Sequence, residues 1–242
     1  MSMMLTLKKD GCIGCPIRHR AICARCDADE LALLETMKHY TAYSAGDAII
    51  WRGDEMQTVA SIISGVATLS QTLEDGRRQT LGLLLPSDFI GRPGRDRAIY
   101  DITAVSDVTL CCFHRPAFET LLEDLPHLAG RVLEMTLDEL DAAREWMLLL
   151  GRKTAREKIA SFLMMLSRRT SVASDTSNQR KLDLPLTREA MADYLGLTIE
   201  TVSRQFSALR KDGLIQLDGK RGVIITDLAA LSAAAGEDEG TT

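Results

Sequence analysis

No apolar run in the 242-residue chain approaches the roughly 20 residues that a bilayer-spanning helix needs, so a transmembrane protein is not expected. The start, Met1-Ser-Met-Met-Leu-Thr-Leu-Lys-Lys9, lacks the charged start, apolar run and small-residue cleavage pattern of a secretory signal, and the expected location is cytoplasmic. Charge is too sparse for disorder as the overall state: 26% of residues are charged, the net charge is −5, and 45% are apolar, enough for one or two domains with real cores. Histidine is scarce, and His19, His39, His114 and His127 are scattered. With no paired acids, no histidine-based nucleophile and no phosphate loop, an enzyme is not expected. Six cysteines in a cytoplasmic chain read as reduced thiols for metal or redox chemistry, not as a disulfide framework.

What charge there is lies unevenly. Residues 1–151 carry 15 Lys+Arg against 22 Asp+Glu, whereas residues 152–226 carry 14 against 8, and the last sixteen add four acids and no base. A basic block behind an acidic body suggests an appended nucleic-acid-binding unit, although solvated helical faces are also often basic.

The hydrophobic period divides the chain further. Residues 1–28 hold Cys12, Cys15, Cys23 and Cys26 among Gly, Pro and Arg. Asp29 to Tyr40 reads as a short helix, with Leu31, Leu34 and Met37 three apart. From Ala45 to Phe113 come short apolar runs at 48–51, 60–63, 66–69, 80–85, 99–105 and 108–113, separated by turn signals such as Ser64-Gly65 and Asp75-Gly76. Such strands suggest a small barrel or jelly roll. A helix ending before Pro126 follows, then one long helix from Leu128 to about Arg152, broken by Gly151. Val132, Met135, Ala142, Trp146 and Leu149 form one apolar line on it and Leu133, Leu137, Leu140, Met147 and Leu150 a second. Two lines suggest one face against the chain's own barrel and one against a partner helix; a single broad stripe buried in the monomer is the alternative. Thr154 to Arg169 reads as another helix, Ser171 to Lys181 as a polar loop, and Ala233 to Thr242 as a disordered acidic tail.

The segment Leu186 to Arg210 carries the most information. Thr187 caps a helix with Ala190, Met191 and Leu195 inward, Gly196 turns the chain, and Thr198 caps a second helix that buries Val202, Phe206 and Leu209. Glu200, Thr201, Ser203, Arg204 and Lys211 lie on its other face, and two short strands around Asp218-Gly219 follow as a wing. This is a winged helix-turn-helix, whose second helix enters the major groove. Glu200, Ser203 and Arg204 share one face. Arginine suits guanine O6 and N7, glutamate suits cytosine N4, and serine is adaptable. A surface ion pair between Glu200 and Arg204 is the plainer alternative. Arg188 and Lys211 are candidate phosphate contacts, and Thr198 and Thr201 are further candidate DNA-binding residues.

A small antiparallel barrel, a long helix and this winged element resemble the catabolite-activator/fumarate-nitrate-reduction regulator superfamily over roughly residues 10–230. Leu195-Gly-Leu-Thr-Ile-Glu-Thr-Val-Ser-Arg204 is similar to its recognition motif, and Glu-x-x-Ser-Arg is typical of the oxygen-responsive iron–sulfur branch. The resemblance implies an α+β chain: a cysteine-rich arm (1–28), a β-roll sensor domain (29–126), a dimerisation helix (127–151), a winged helix-turn-helix (152–232) and a tail (233–242). It also implies a homodimer reading TTGAT half-sites in an inverted repeat. The Gln71–Gln79 hairpin is a possible contact for RNA polymerase, as any exposed turn is. Asp138, Asp141 and Glu145 form an acidic line beside the apolar seam, and Glu145, Trp146, Asp141 and Leu149 are assigned to dimerisation or switching; acids that merely face solvent are the alternative.

Relatives that bind a cyclic nucleotide carry Gly-Glu for the ribose and Arg-Ser or Arg-Thr for the phosphate. Here Gly91 is followed by Arg92 and Arg97 by Ala98, so no cyclic nucleotide is expected. The cysteines suggest a [4Fe–4S] cluster, held in such proteins by four thiolates. The resemblance supports three ligands from the arm, Cys12, Cys15 and Cys23, and one from the barrel. Adjacent Cys111 and Cys112 point to opposite faces of a strand, and counting back from Pro116-Ala-Phe-Glu119 favours Cys111, leaving Cys112 as a buried thiol. Arg18, His19, Arg20 and Arg25 are the cations available to offset the cluster's charge. Seven residues separate Cys15 from Cys23 where some relatives have five. Zinc on Cys12, Cys15, Cys23 and Cys26 is the competing reading, and sensing by thiol oxidation a third.

Overall fold

The computed structural model describes residues 11–170 and 178–237. They fall into two compact units divided between Ala142 and Ala143, so the boundary lies inside the long helix rather than at either of its ends.

In the first unit, a 3-10 turn (Ile22–Arg25) leads into α1 (Ala28–Met37). Asp27 caps α1: its carboxylate accepts from the Glu30 N–H and the Glu30 carboxylate accepts from the Asp27 N–H, both at 2.9 Å. The helix stops at Met37, short of the expected Tyr40, because Lys38–Tyr43 form β1, paired along its length with β8 (Val108–His114). The other strands are β2 (Ala48–Ile50), β3 (Thr58–Ser64), β4 (Ala67–Thr72), β5 (Arg78–Leu84), β6 (Phe89–Ile90) and β7 (Asp101–Ala104). They form two four-stranded antiparallel sheets, ordered β1-β8-β3-β6 and β2-β7-β4-β5. Gly65 joins β3 to β4 at φ +83°, and a Cβ there would sit 2.0 Å from the Asp107 carbonyl oxygen, so the turn admits only glycine.

Ile62, Ala67, Leu84, Ile102, Leu110 and Cys112 fill the space between the sheets. The other face of the β1-β8-β3-β6 sheet is covered by α1, α2 (Arg115–Asp124) and the start of α3 (Pro126–Arg152). Phe118 of α2 sits 5.7 Å, centroid to centroid, from both Phe89 and Phe113. Cysteines of the arm pack on this same outer face.

Gly151 does not break α3, which runs on through Arg152. The break comes at Thr154, which caps α4 (Ala155–Thr170) in a reciprocal arrangement with Glu157. The rest of the second unit is β9 (Arg180–Asp183), α5 (Arg188–Leu195), α6 (Ile199–Lys211), β10 (Ile215–Asp218), β11 (Gly222–Ile225) and α7 (Leu228–Ala234), with sheet order β10-β11-β9. Two expectations change here. Arg180 and Lys181 belong to a strand paired with β11, not to a loop; residues 171–177 of that expected loop lie outside the described residues. The tail is structured at its beginning, since Asp227 caps α7, Leu231 and Ala235 are fully buried, and Glu237 pairs with Arg168. Residues 238–242 lie outside the described residues.

Candidate nucleic-acid interface and cysteine centre

The helix-turn-helix forms as its caps dictate. Thr187 accepts from the Ala190 N–H at 3.1 Å, Gly196 turns in the left-handed region (φ 62°, ψ 45°), and Thr198 accepts from the Thr201 N–H at 3.2 Å. Met191, Ala192, Tyr194 and Leu195 of α5 are buried, as are Val202, Phe206 and Leu209 of α6. Ala190, expected inward, is only half-buried. Glu200, Ser203, Arg204 and Lys211 are exposed.

The Glu200–Arg204 ion pair is not formed. The Glu200 carboxylate is held by its own N–H and by the Thr198 side chain, which keeps it below the usual carboxylate range. Arg204 donates to Thr201 Oγ1 at 3.3 Å. Both charged side chains on this exposed face of α6 are thus steered by threonine hydroxyls. Arg188 is half-buried: its guanidinium carbon lies 3.3 Å from the Phe206 ring centroid, so it stacks α5 onto α6. Behind the motif, Lys158 of α4 is buried and donates to the Leu195 carbonyl oxygen at 3.1 Å, satisfying the C-terminal end of α5. A lysine three residues after Ala155 and four before Phe162, within that helix's apolar stripe, was the available sequence signal.

The cysteines converge from two directions. Cys112 is buried between the sheets, while its neighbour Cys111 faces outward, onto the arm. Cys15, Cys23 and Cys111 pack around Ile17, Ala21 and Ile63; Cys12, Cys23, Cys26 and Cys111 also belong to the adjoining apolar cluster. Burial raises the Cys111 thiol well above its ordinary range, and Cys12, Cys15 and Cys23 raise it further against the opposing pull of Lys38. Burial and a hydrogen bond to Glu35 push Cys12 up to about 12. Cys26 is pushed up to about 11 by burial, then by Cys23, Glu30 and Asp27.

One cation that acts on this centre is one that the sequence did not single out. The Lys38 side chain is only 4% exposed and its ammonium bridges Glu35 (2.8 Å) and the Tyr40 hydroxyl (2.6 Å). Glu35 in turn accepts from the Cys12 N–H at 2.6 Å. Desolvation lowers the Lys38 pKa, but Glu35, Tyr40 and Cys12 together hold it above the usual lysine value. Among the arginines foreseen for this role, Arg18 acts on Cys23 and Cys26, whereas Arg25 pairs with Glu134 at 2.8 Å. Ser61, directly across the ladder from Cys111, buries a hydroxyl that has no partner among the described residues.

The arm and the first turn of α1 are tied to α3 along one polar stripe. His127 contacts Glu30 at 3.1 Å, Arg131 donates to the Arg20 and Ala21 carbonyl oxygens at 2.6 and 3.5 Å, and Glu134 meets Arg25. These residues are spaced i, i+4 and i+7, one face of a helix. Val132 and Met135 pack on the roll's outer cluster, while Leu133, Leu137, Leu140 and Met147 are 43–68% exposed. The helix therefore does carry two apolar faces. Two seam assignments change: Trp146 stacks on Tyr194 with centroids 3.9 Å apart, and Leu149 is buried. Both are occupied within the chain because the last turns of α3 belong to the second unit. Asp141 and Glu145 are exposed.

Between the roll and α3 is an open pocket of about 380 Å³, lined by apolar side chains, by Arg92, Arg95 and Arg97, by Asp88, and by Val132, Met135, Thr136 and Glu139 of α3. Arg97 is committed to the Gly53 carbonyl oxygen at 2.8 Å. Among the described residues no helix is long and apolar enough to cross a membrane.

Comparison with known proteins agrees with this architecture. The cyclic nucleotide-binding domain family matches residues 40–124, and the Crp-like helix-turn-helix domain family matches residues 157–234. The chain is 62% identical to the transcriptional activator protein FnrL of Cereibacter sphaeroides, covering 94% of this chain and 92% of that protein. It is 37% identical to the nitrogen fixation regulation protein FixK of Bradyrhizobium diazoefficiens, over 93% of each. Among solved structures, FixK2 from Bradyrhizobium japonicum superposes with a TM-score of 0.74 at 30% identity, covering 84% of this chain and 99% of that one. A capped helix-turn-helix with a wing, an eight-stranded roll, and relatives matching nearly end to end identify the chain as a member of the catabolite-activator/fumarate-nitrate-reduction superfamily, a DNA-binding transcription regulator and not an enzyme.

Proposed function

We propose that this regulator is an oxygen-responsive activator that binds TTGAT-type inverted repeats as a homodimer under the control of a [4Fe–4S] cluster on Cys12, Cys15, Cys23 and Cys111. The observation that carries the reading is the meeting of the arm thiols, Cys12, Cys15 and Cys23 with Cys26 beside them, with a strand thiol on one covered sheet face. The surroundings fit such a group. Four converging thiols supply its donor set. The buried Lys38 ammonium offsets anionic charge, and the unpartnered Ser61 hydroxyl faces the same side as Cys111 with a hydrogen bond to give. When bound, the cluster supplies an oxygen-labile link between the arm and β8.

The protein's own residues carry the signal onward. An arm held against β8 keeps the Arg20 and Ala21 carbonyls, Arg25 and Glu30 in place for Arg131, Glu134 and His127 of α3. The exposed Leu133, Leu137, Leu140 and Met147 line is the seam for a second copy. Glu200, Ser203 and Arg204 read base edges, with Thr198 and Thr201 orienting them and Lys211 on phosphate. The β4–β5 turn faces RNA polymerase. Support for an activator comes from relatives that bear that name. With no glutamate after Gly91 and Arg97 engaged by Gly53, the pocket between the roll and α3 does not serve a cyclic nucleotide.

The test is anaerobic purification followed by an absorption spectrum with iron and sulfide analysis. Iron and sulfide in equal amounts, lost in air together with DNA binding, are expected. Zinc without sulfide would replace the proposal with a zinc-structured arm; neither metal, with air-sensitive DNA binding reversed by thiol reductant, would replace it with thiol sensing.

A further inference from the structure

We propose that Cys26, Glu30 and His127 form a second metal site, beside the four-thiol centre, that takes a zinc-class divalent cation. Cys26 is the arm cysteine that the four-thiol set does not use. Its sulfur, a Glu30 carboxylate oxygen and a His127 ring nitrogen lie within 4.8 Å of one another. One thiolate, one carboxylate and one imidazole are a donor set of intermediate softness, which suits Zn²⁺ rather than Mg²⁺ or Ca²⁺. Tetrahedral zinc at its usual bond lengths spaces its ligand atoms about 3.3–3.8 Å apart. The Glu30–His127 contact, at 3.1 Å, is already near that spacing.

Two ligands are held from behind. The Glu30 carboxylate accepts from the Asp27 N–H at 2.9 Å, which fixes its rotamer while leaving lone pairs free. Cys26 is buried, and its N–H is satisfied by the Cys23 carbonyl at 3.2 Å. The His127 side chain is 41% exposed, so it can turn to close the site and leaves an approach for the ion. A thiolate and a carboxylate neutralise the dication, and the fourth position is left for water. The ligands come from the end of the 3-10 turn, the first turn of α1 and the first turn of α3, so an ion here would pin the arm to the dimer helix.

The experiment uses the full chain purified anaerobically, incubated with one equivalent of Zn²⁺ and desalted, with zinc, iron and sulfide measured per chain. About one zinc is expected in addition to the iron. Cys26→Ser and His127→Gln should lose that zinc and keep the iron and sulfide. Glu30→Gln, which still accepts the capping hydrogen bond, should weaken zinc by at least about ten-fold. Co²⁺ in place of zinc should give a charge-transfer band of one-thiolate intensity, abolished by Cys26→Ser and unaffected by Cys12→Ser. Zinc unchanged in His127→Gln, or a four-thiolate cobalt spectrum lost in Cys12→Ser, overturns the site. Because zinc is counted separately from iron and sulfide, failure of the cluster reading leaves an independent zinc result.

Discussion

Replacing Arg131 with methionine keeps the unbranched apolar stem of the side chain and removes its guanidinium, and with it the central tie between the arm and α3. The native side chain is 18% exposed and makes a 2.6 Å bond to the Arg20 carbonyl, a 3.5 Å bond to the Ala21 carbonyl and a 3.2 Å contact with Glu134. The short bond, with a charged donor, contributes on the order of 1.5–3 kcal/mol. The 3.5 Å bond is at the limit of useful geometry and adds little. Glu134 is part-exposed and retains Arg25, so its share is below about 1 kcal/mol. The arm's docking should therefore weaken by about 2–3 kcal/mol, which lowers its docked-to-undocked ratio roughly 30- to 150-fold. The assay is hydrogen exchange across residues 17–26, paired with anaerobic DNA binding. Exchange should quicken there while the core strands β3 and β8 stay protected, iron content should be retained, and DNA affinity should fall towards the aerobic value. If exchange in the arm and anaerobic affinity both match the parent, the stripe of His127, Arg131 and Glu134 does not transmit the arm's state.

Arg204→Ala should cost on the order of 1–3 kcal/mol on specific DNA and lose discrimination at guanine, whereas Lys211→Ala should weaken all sequences alike and flatten the salt dependence; equal losses on specific and random DNA for Arg204→Ala would reject its base-reading role. Alanine at Cys12, Cys15, Cys23 or Cys111 should each remove iron and sulfide, and alanine at Cys26 or Cys112 should not; iron lost in Cys26→Ala but kept in Cys23→Ala would reassign the third ligand. Glu145→Ala should strengthen dimerisation of the cluster-free chain and leave some DNA binding in air, with sedimentation showing no change if the acidic line has no such role. The pH dependence of the metal-free chain follows from its buried thiols. Cys12 and Cys26 are raised from 9.0 to about 12 and about 11 on folding, so their contribution to stability is whole below pH 9 and lost as pH rises through the folded values. The denaturant midpoint should fall from pH 9 to 11, less so in Cys26→Ala; a flat profile would contradict the burial of these thiols.

The helix-turn-helix was legible because its signals are local: Thr187, Gly196 and Thr198 each act within a few residues, and the structure keeps all three roles. The opposite facing of Cys111 and Cys112 was legible for a similar reason, since it follows from the two-residue period of any strand. What failed was tertiary. Lys38–Tyr40 continue a helical pattern in sequence, but pairing with β8 makes them strand. Trp146 and Leu149 fit a dimer seam by spacing, yet Tyr194, some fifty residues on, occupies the tryptophan's face. Lys38 and Ser61 carry no motif; only the ladder that sets Tyr40 and Ser61 beside Cys111 shows that they belong to the cysteine centre.

The tryptophan stack has a spectroscopic consequence. The chain has two tryptophans, and their surroundings differ in kind. Trp51 is 58% exposed at the end of β2, so its emission is that of a solvated indole, open to an aqueous quencher. Trp146 lies flat on the Tyr194 ring, with an interplanar angle of 18°, and is half-buried. Its emission is bluer and shielded from the same quencher. In a Trp51→Phe variant, the remaining fluorescence becomes a single-site optical reporter of whether the last turns of α3 stay seated on the first helix of the DNA-reading motif. Oxygen exposure and DNA addition can then be followed at that joint in real time, without an attached dye.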